Sequence, residues 1–151
     1  MPIDKLKKLV AILSDFDTVR DEVVQRIVQA HEREILEIQT DYQMYERGVD
    51  SEGKQIGKYT DFTKKIKRKK GQPYAFVTGK DTGEMYKESY AAYADSYFAI
   101  YSGSETAKLF TEAYGARVWG FDKKSTERAA KIVEREFDAY LRAYLNELVR
   151  L

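Results

Sequence analysis

The 151-residue sequence predicts an α+β fold, a small antiparallel sheet packed with long N-terminal and C-terminal helices. Three observations predict it. Apolar residues recur at helical spacing at both ends of the chain, the pattern switches to period two between about 89 and 101, and glycines cluster between the two textures. The length fits one domain, 1–151, with a flexible basic loop region at about 48–75.

The elements follow in order. From Pro2 to about Ser14, Ile3, Leu6, Leu9, Val10 and Leu13 keep helical spacing, and Pro2 is tolerated in a first turn. Ser14-Asp15-Phe16-Asp17 breaks the pattern. Thr18 with Asp21 then reads as a capping box opening a long helix to about Arg47. Its stripe is Val24, Val28, His31, Ile35, Ile38, Tyr42 and Tyr45, widened by Ile27 and Leu36. A heptad rhythm of this length suits either packing on the chain's own sheet or a seam against another subunit. His31 stands in the stripe with no second histidine and no cysteine, which favours a buried, hydrogen-bonded ring over a metal ligand.

Gly48, Gly53, Gly57, Gly71 and Pro73 mark turns. Among them, Tyr59, Phe62 and Ile66 form a weak apolar face of a short helix between Lys58 and Lys70. Ala75-Phe76-Val77-Thr78 reads as a short strand, and Asp81 as the N-cap of a helical turn near Glu84–Glu88. Ser89 to Tyr101 alternates as two strands around a hairpin turn at Asp95-Ser96. Ser102, with Glu105 three residues on, caps a helix from Glu105 to Tyr114 that Gly115 ends. Arg117–Phe121 is either a last strand or an ordered loop. A final helix from Lys123 to Leu151 carries the stripe Ala129, Val133, Phe137, Tyr140, Tyr144, Leu148 and Leu151, with Leu141 and Leu145 beside it.

Composition removes several classes of function. With 43% hydrophobic and 34% charged residues the chain is neither a polyelectrolyte nor rich in membrane spans, and no membrane partner is expected. Met1-Pro2-Ile3-Asp4 lacks the basic and apolar regions of a secretory signal, so no such leader is expected. The absence of cysteine excludes disulfides and thiolate metal sites. One histidine and no G-x-S-x-G leave no obvious nucleophile and base. Gly48–Gln55 resembles a phosphate-binding loop in its glycines and Lys54, but Gln55 stands where a hydroxyl must bind magnesium. Asp50-Ser51-Glu52-Gly53 lacks the ligand spacing of a calcium loop. Carboxylate pairs such as Glu32/Glu34 and Glu134/Glu136 sit on charged helices and read as solvated faces. No catalytic residue, cofactor or metal is predicted.

Charge is the stronger signal. Between Lys54 and Lys80 nine basic residues stand against Asp61 alone, a net +8, which leaves −7 for the rest of the chain. The run Lys64, Lys65, Lys67, Arg68, Lys69 and Lys70 suits a polyanion, an acidic neighbouring subunit, or a solvated loop. Tyr59, Phe62 and Tyr74 flank it as stacking candidates. Twelve tyrosines fit a core or an interface, with Tyr93, Tyr97, Tyr101 and Trp119 the candidate interface.

The middle of the chain also resembles a known family. Glu46-Arg47-Gly48-Val49-Asp50-Ser51-Glu52-Gly53-Lys54 leads through Tyr59-Thr60-Asp61-Phe62-Thr63 and Lys69-Lys70-Gly71-Gln72-Pro73 to Val77–Tyr86. Thr82-Gly83-Glu84-Met85-Tyr86-Lys87-Glu88-Ser89 follows, and Glu112-Ala113-Tyr114-Gly115 precedes Trp119-Gly120-Phe121. This succession is similar to the phage virion-morphogenesis and tail-completion proteins. Thr78-Gly79-Lys80 departs from it where an aliphatic strand residue is usual, and the last helix is longer than the common form. The resemblance implies a small α+β module that assembles with copies of itself into a ring at the head–tail junction or tail end of the virion. It implies assembly in the host bacterial cytoplasm, with other neck or tail proteins as partners and the basic loop facing a neighbour or the genomic DNA. The alternative is a non-specific nucleic-acid-binding module using residues 64–70.

Overall fold

The structure is a computed structural model and describes residues 2–94 and 97–150. Helices α1 (Ile3–Leu13), α2 (Phe16–Ala30) and α3 (Glu32–Glu37) lead into a π-helix, Ile38–Glu46. After a loop come α4 (Asp61–Lys69) and the short α5 (Glu84–Lys87). The strands β1 (Ser89–Ala94) and β2 (Tyr97–Ser102) pair antiparallel and form a two-stranded sheet. Helix α6 (Glu105–Tyr114), a 3-10 turn at Ala116–Val118 and α7 (Lys123–Arg150) complete the order. The α+β expectation holds. The expected turn at Asp95-Ser96 and the expected helix end at Leu151 lie outside the described residues.

Contacts divide the chain into two compact units, Met1–His31 with Ala130–Leu151, and Glu32–Ala129. In the first unit Val19, Val23 and Ile27 of α2 step by four along one face and meet Tyr144 of α7. Val133, Phe137, Tyr140, Leu141, Leu145 and Leu148 pack around them, with Ile12 from α1. The predicted stripe of the last helix is thus the packed one. His31 ends α2, half-buried, with its ring edge-on to Tyr140 and Nε2 3.9 Å from Glu136.

In the second unit Met44, Ile56, Val77, Met85, Tyr86, Ala107, Phe110 and Val118 form the core, and Tyr45, Tyr59, Tyr114 and Trp119 pack against it. The long helix predicted from Thr18 to Arg47 does not run through. It breaks at His31, and a π-helix replaces the α-helix after Glu37. A π-turn holds more residues than an α-turn, so each later position falls back around the axis. Ile38 stays buried as expected, and Gln39, Thr40, Gln43 and Met44 join it. Tyr42, expected inward, lies partly exposed between the guanidinium groups of Arg47 and Arg128, 4.4 and 3.4 Å from its ring centre.

Those two glutamines organise the unit. Gln39 donates to the Val118 carbonyl at 3.0 Å and accepts from Gly120 N–H at 3.1 Å. Gln43 repeats the pattern one step on, donating to Gly120 O at 2.8 Å and accepting from Asp122 N–H at 2.9 Å. The side chains therefore supply to residues 118–122 the hydrogen bonds that a neighbouring strand would supply. This is why Arg117–Phe121 is an ordered segment rather than a strand.

Other local expectations shift for physical reasons. The segment 48–56 is held in place: Val49 and Gln55 form an antiparallel bridge, and Asp50 accepts from Glu52 and Lys54 N–H. Gly48 has φ 62°, and a Cβ there would stand 2.1 Å from the Phe76 ring, so only glycine fits. Gly79, at the departure from the family pattern, has φ 72° and faces Met85 and Phe110. Ala75–Thr78 is not a strand; Val77 N–H bonds Gly57 O. Ser104, not Ser102, caps α6, because Ser102 ends β2 and its hydroxyl donates to Met85 O. Thr82, not Asp81, receives the Glu84 amide at the start of α5. Helix α2 begins at Phe16, before Thr18.

Replacing Gln43 with Leu leaves Gly120 O and Asp122 N–H buried without partners. It is expected to lower the unfolding free energy by about 2–4 kcal/mol, read by urea denaturation; a loss within error would show that the amide ladder does not hold the segment.

Candidate interaction surface

Helix α4 carries the basic run. Thr60 caps it by accepting Thr63 N–H at 3.2 Å, and Lys67, Arg68 and Lys69 occupy its last turn, where the helix dipole favours cations. The short helix expected between Lys58 and Lys70 is thus Asp61–Lys69. Three of the six candidate cations serve the fold. Lys67 is only 7% exposed; its ammonium donates to Lys80 O at 3.0 Å and lies 4.8 Å over the Tyr59 ring. Lys70 donates to Asp81 at 3.0 Å, and that bond, with a second from Gln72, holds the Asp81 carboxyl below its usual range. Arg68 stacks on Tyr74 at 4.7 Å. Lys64, Lys65 and Lys69 remain, their ammonium groups making no ion pair or hydrogen bond among the described residues. The predicted apolar face is turned outward in part: Phe62 is 73% exposed and Ile66 is also exposed, while Tyr59 packs inward.

The hairpin sorts the candidate tyrosines. Tyr90 pairs with Tyr101, Ala92 with Ala99, and Ala94 with Tyr97, so Tyr90, Tyr97 and Tyr101 share one face. These three are 48–63% exposed, and the Tyr90 and Tyr101 rings lie 5.8 Å apart. Tyr93 pairs with Phe98 on the opposite, inward face, beside buried Ile100. Phe98 meets Phe121 edge-on there. Ala91 N–H donates to Glu32 at 2.9 Å, so α3 covers that point of the β1 edge. Trp119 donates from Nε1 to Thr111 at 2.8 Å and lines a groove of about 520 Å³ with Tyr101 and Ala107. The structure thus brings Tyr101 and Trp119 to one groove, keeps Tyr97 on the same hairpin face as Tyr101, and puts Tyr93 on the other. Tyr90 was missed, although a turn centred on residues 95 and 96 already pairs it with Tyr101.

Two further polar centres escaped the sequence reading. Arg47 grips Asp122 with two bonds of 2.7 Å and adds one of 3.0 Å to Ser125. Asp122 also accepts Ser125 N–H and so starts α7. The Arg47 hydrogen bond is the main cause that holds the Asp122 carboxyl down at about 2. Asp50 is fully buried among its own loop amides, with Arg117 Nε 3.2 Å from its second oxygen. The carboxylate of the loop that resembled a phosphate or calcium site is thereby turned onto its own backbone. Among the described residues no group of three or more His, Cys, Asp or Glu gathers as a metal site, and no helix is long and apolar enough to cross a membrane.

Compared with protein-family models, curated proteins and solved structures, the chain matches none.

Two outcomes test this surface. Lys67→Ala is expected to lower the melting temperature, whereas Lys65→Ala and Lys69→Ala leave it unchanged; equal melting of all three would remove Lys67 from the core. Asp122, with an ordinary value of 3.8 lowered to about 2, contributes stability that is complete above about pH 5. That contribution, on the order of 2 kcal/mol, is lost as pH falls from about 4 through 2. The stability gap between wild type and Asp122→Asn should close over that interval; a gap constant from pH 6 to 2 would refute the assignment.

Proposed function

We propose that this chain is a structural assembly protein, and, from its resemblance to phage tail-completion proteins, that it forms part of the head–tail connector or terminator ring of a tailed phage. The observation that supports the reading is the outer face of the hairpin. Three tyrosines stand there over alanines, while the opposite face supplies the packing. Tyrosine rings combine large contact area with few rotatable bonds and are enriched where proteins meet. Free energy for docking comes from burying those rings, not from chemistry at a pocket. Partners are copies of the chain and other neck or tail proteins, and the site of action is the virion.

Non-specific nucleic-acid binding is the second reading, and α4 carries it. The tethering of Lys67, Arg68 and Lys70 leaves Lys64, Lys65 and Lys69 to meet phosphates, with Phe62 exposed beside them. So small a set predicts a shallow salt dependence and suits guidance of DNA past the protein better than capture.

The mass of the purified protein, alone and mixed with tail-tube protein, decides between them. A closed ring, or co-assembly at tube ends that Tyr90→Ser/Tyr97→Ser/Tyr101→Ser abolishes, is the expected result. A chain that ignores the tube yet retains DNA at low salt, and loses it on neutralising Lys64, Lys65 and Lys69, would sink the assembly reading.

A further inference from the structure

Within the first unit, two features lack partners and match each other. Helix α1 has no buried residue. Its Ile3, Leu6, Val10 and Leu13 step by three, four and three, the spacing of a helix–helix seam, and are 43–66% exposed. The same helix holds Ile12 against the core of the unit, which leaves the seam turned away from its own chain. Leaving four large aliphatic side chains in water on one stripe is costly for a helix of 11 residues.

The second feature is a groove of about 510 Å³ between α2 and α7. Phe16 and Val24 line one wall and Val133 and Phe137 the other. Its α7 rim carries the carboxylates Glu134 and Asp138, the latter paired with Arg142 at 2.9 Å. The rim's Arg20 is already paired with Asp17 and Asp21. Helix α1 is cationic away from its seam, with Lys5, Lys7 and Lys8 against Asp4 alone. Length agrees as well: at 1.5 Å per residue the seam from Ile3 to Leu13 is about 15 Å long, and the wall from Phe16 to Val24 about 12 Å.

We propose that α1 of one copy docks its Ile3–Leu6–Val10–Leu13 seam in the Phe16–Val24–Val133–Phe137 groove of a second copy. The contact joins two different surfaces, so each subunit donates a helix and receives one. Such a head-to-tail arrangement builds rings or open chains rather than closed pairs. The inference needs only that copies associate; it does not rest on the phage reading, and it uses none of the hairpin tyrosines.

Two variants test it. Leu6→Glu/Val10→Glu spoils the seam and keeps the groove; Phe16→Glu/Val24→Glu spoils the groove and keeps the seam. These positions are exposed or half-buried, so circular dichroism should show both folded. Each variant alone is expected to lose self-association by at least about tenfold, because a buried glutamate is left unpaired. Mixed, the two should form a 1:1 heterodimer and stop there, since one intact seam and one intact groove remain. A wild-type chain that stays monomeric, or a mixture that does not associate, overturns the proposal. Seam variants that remain as oligomeric as wild type while the hairpin triple variant dissociates also overturn it, and in that case the assembly reading stands alone.

Discussion

The carboxamides of Gln39 and Gln43 each meet the backbone of residues 118–122 side-on, donating to one carbonyl and accepting from the second amide along. An amide side chain carries a donor and an acceptor at nearly the spacing of a peptide, so it can stand in for a strand where none is present. Much of the second unit depends on that substitution. It seats Val118 in the core, presents Trp119 to Thr111, and brings Asp122 to Arg47 at the start of α7. The Arg117 carbonyl in turn receives Ser51 N–H, tying the 48–56 loop to the same segment. Buried amides bonded at both nitrogen and oxygen favour one arrangement over its near alternatives, because any slip leaves several groups unpaired at once.

The basic stretch illustrates a different balance. A lysine head is costly to bury, yet Lys67 is held between a carbonyl and an aromatic ring, where its charge is met by oxygen lone pairs and π-electrons. Its neighbours Arg68 and Lys70 each find a local partner. A run that reads in sequence as one cationic patch is therefore two populations. One set ties α4 to residues 74–81, and the other, Lys64, Lys65 and Lys69, belongs to the surface.

Legibility in the sequence followed the periodicity. Helices α1 and α7 and the two strands were readable from apolar spacing, and α6 from its capping pattern and Gly115; the packed stripe of α7 agrees residue by residue with Val133, Phe137, Tyr140, Tyr144 and Leu148. The π-helix was not, since nothing in a heptad count signals the change of turn; Tyr45 still packs against the core, but Tyr42 is turned out between two arginines. Caps were misplaced where a serine or threonine matched a motif by spacing but was engaged elsewhere, as Ser102 is with Met85. For the candidate surface, residue type singled out tyrosine, but the face each one occupies depends on register. Tyr93 and Tyr97 lie four apart in sequence and still fall on opposite faces, because Tyr93 is paired with Phe98 and Tyr97 with Ala94.

The hairpin has one further consequence. Its inward face, with Ile100, Phe98 and Tyr93, anchors the ribbon, while its outward face of Tyr90, Tyr97, Tyr101 and alanines contributes little to that anchoring. A two-stranded ribbon is marginal without such an anchor, and here the anchor and the display surface lie on alternate residues of the same strands. Outward positions are thus free to drift while the scaffold stays intact. Descendants of this chain can change every second one of the twelve strand residues without having to rediscover a fold.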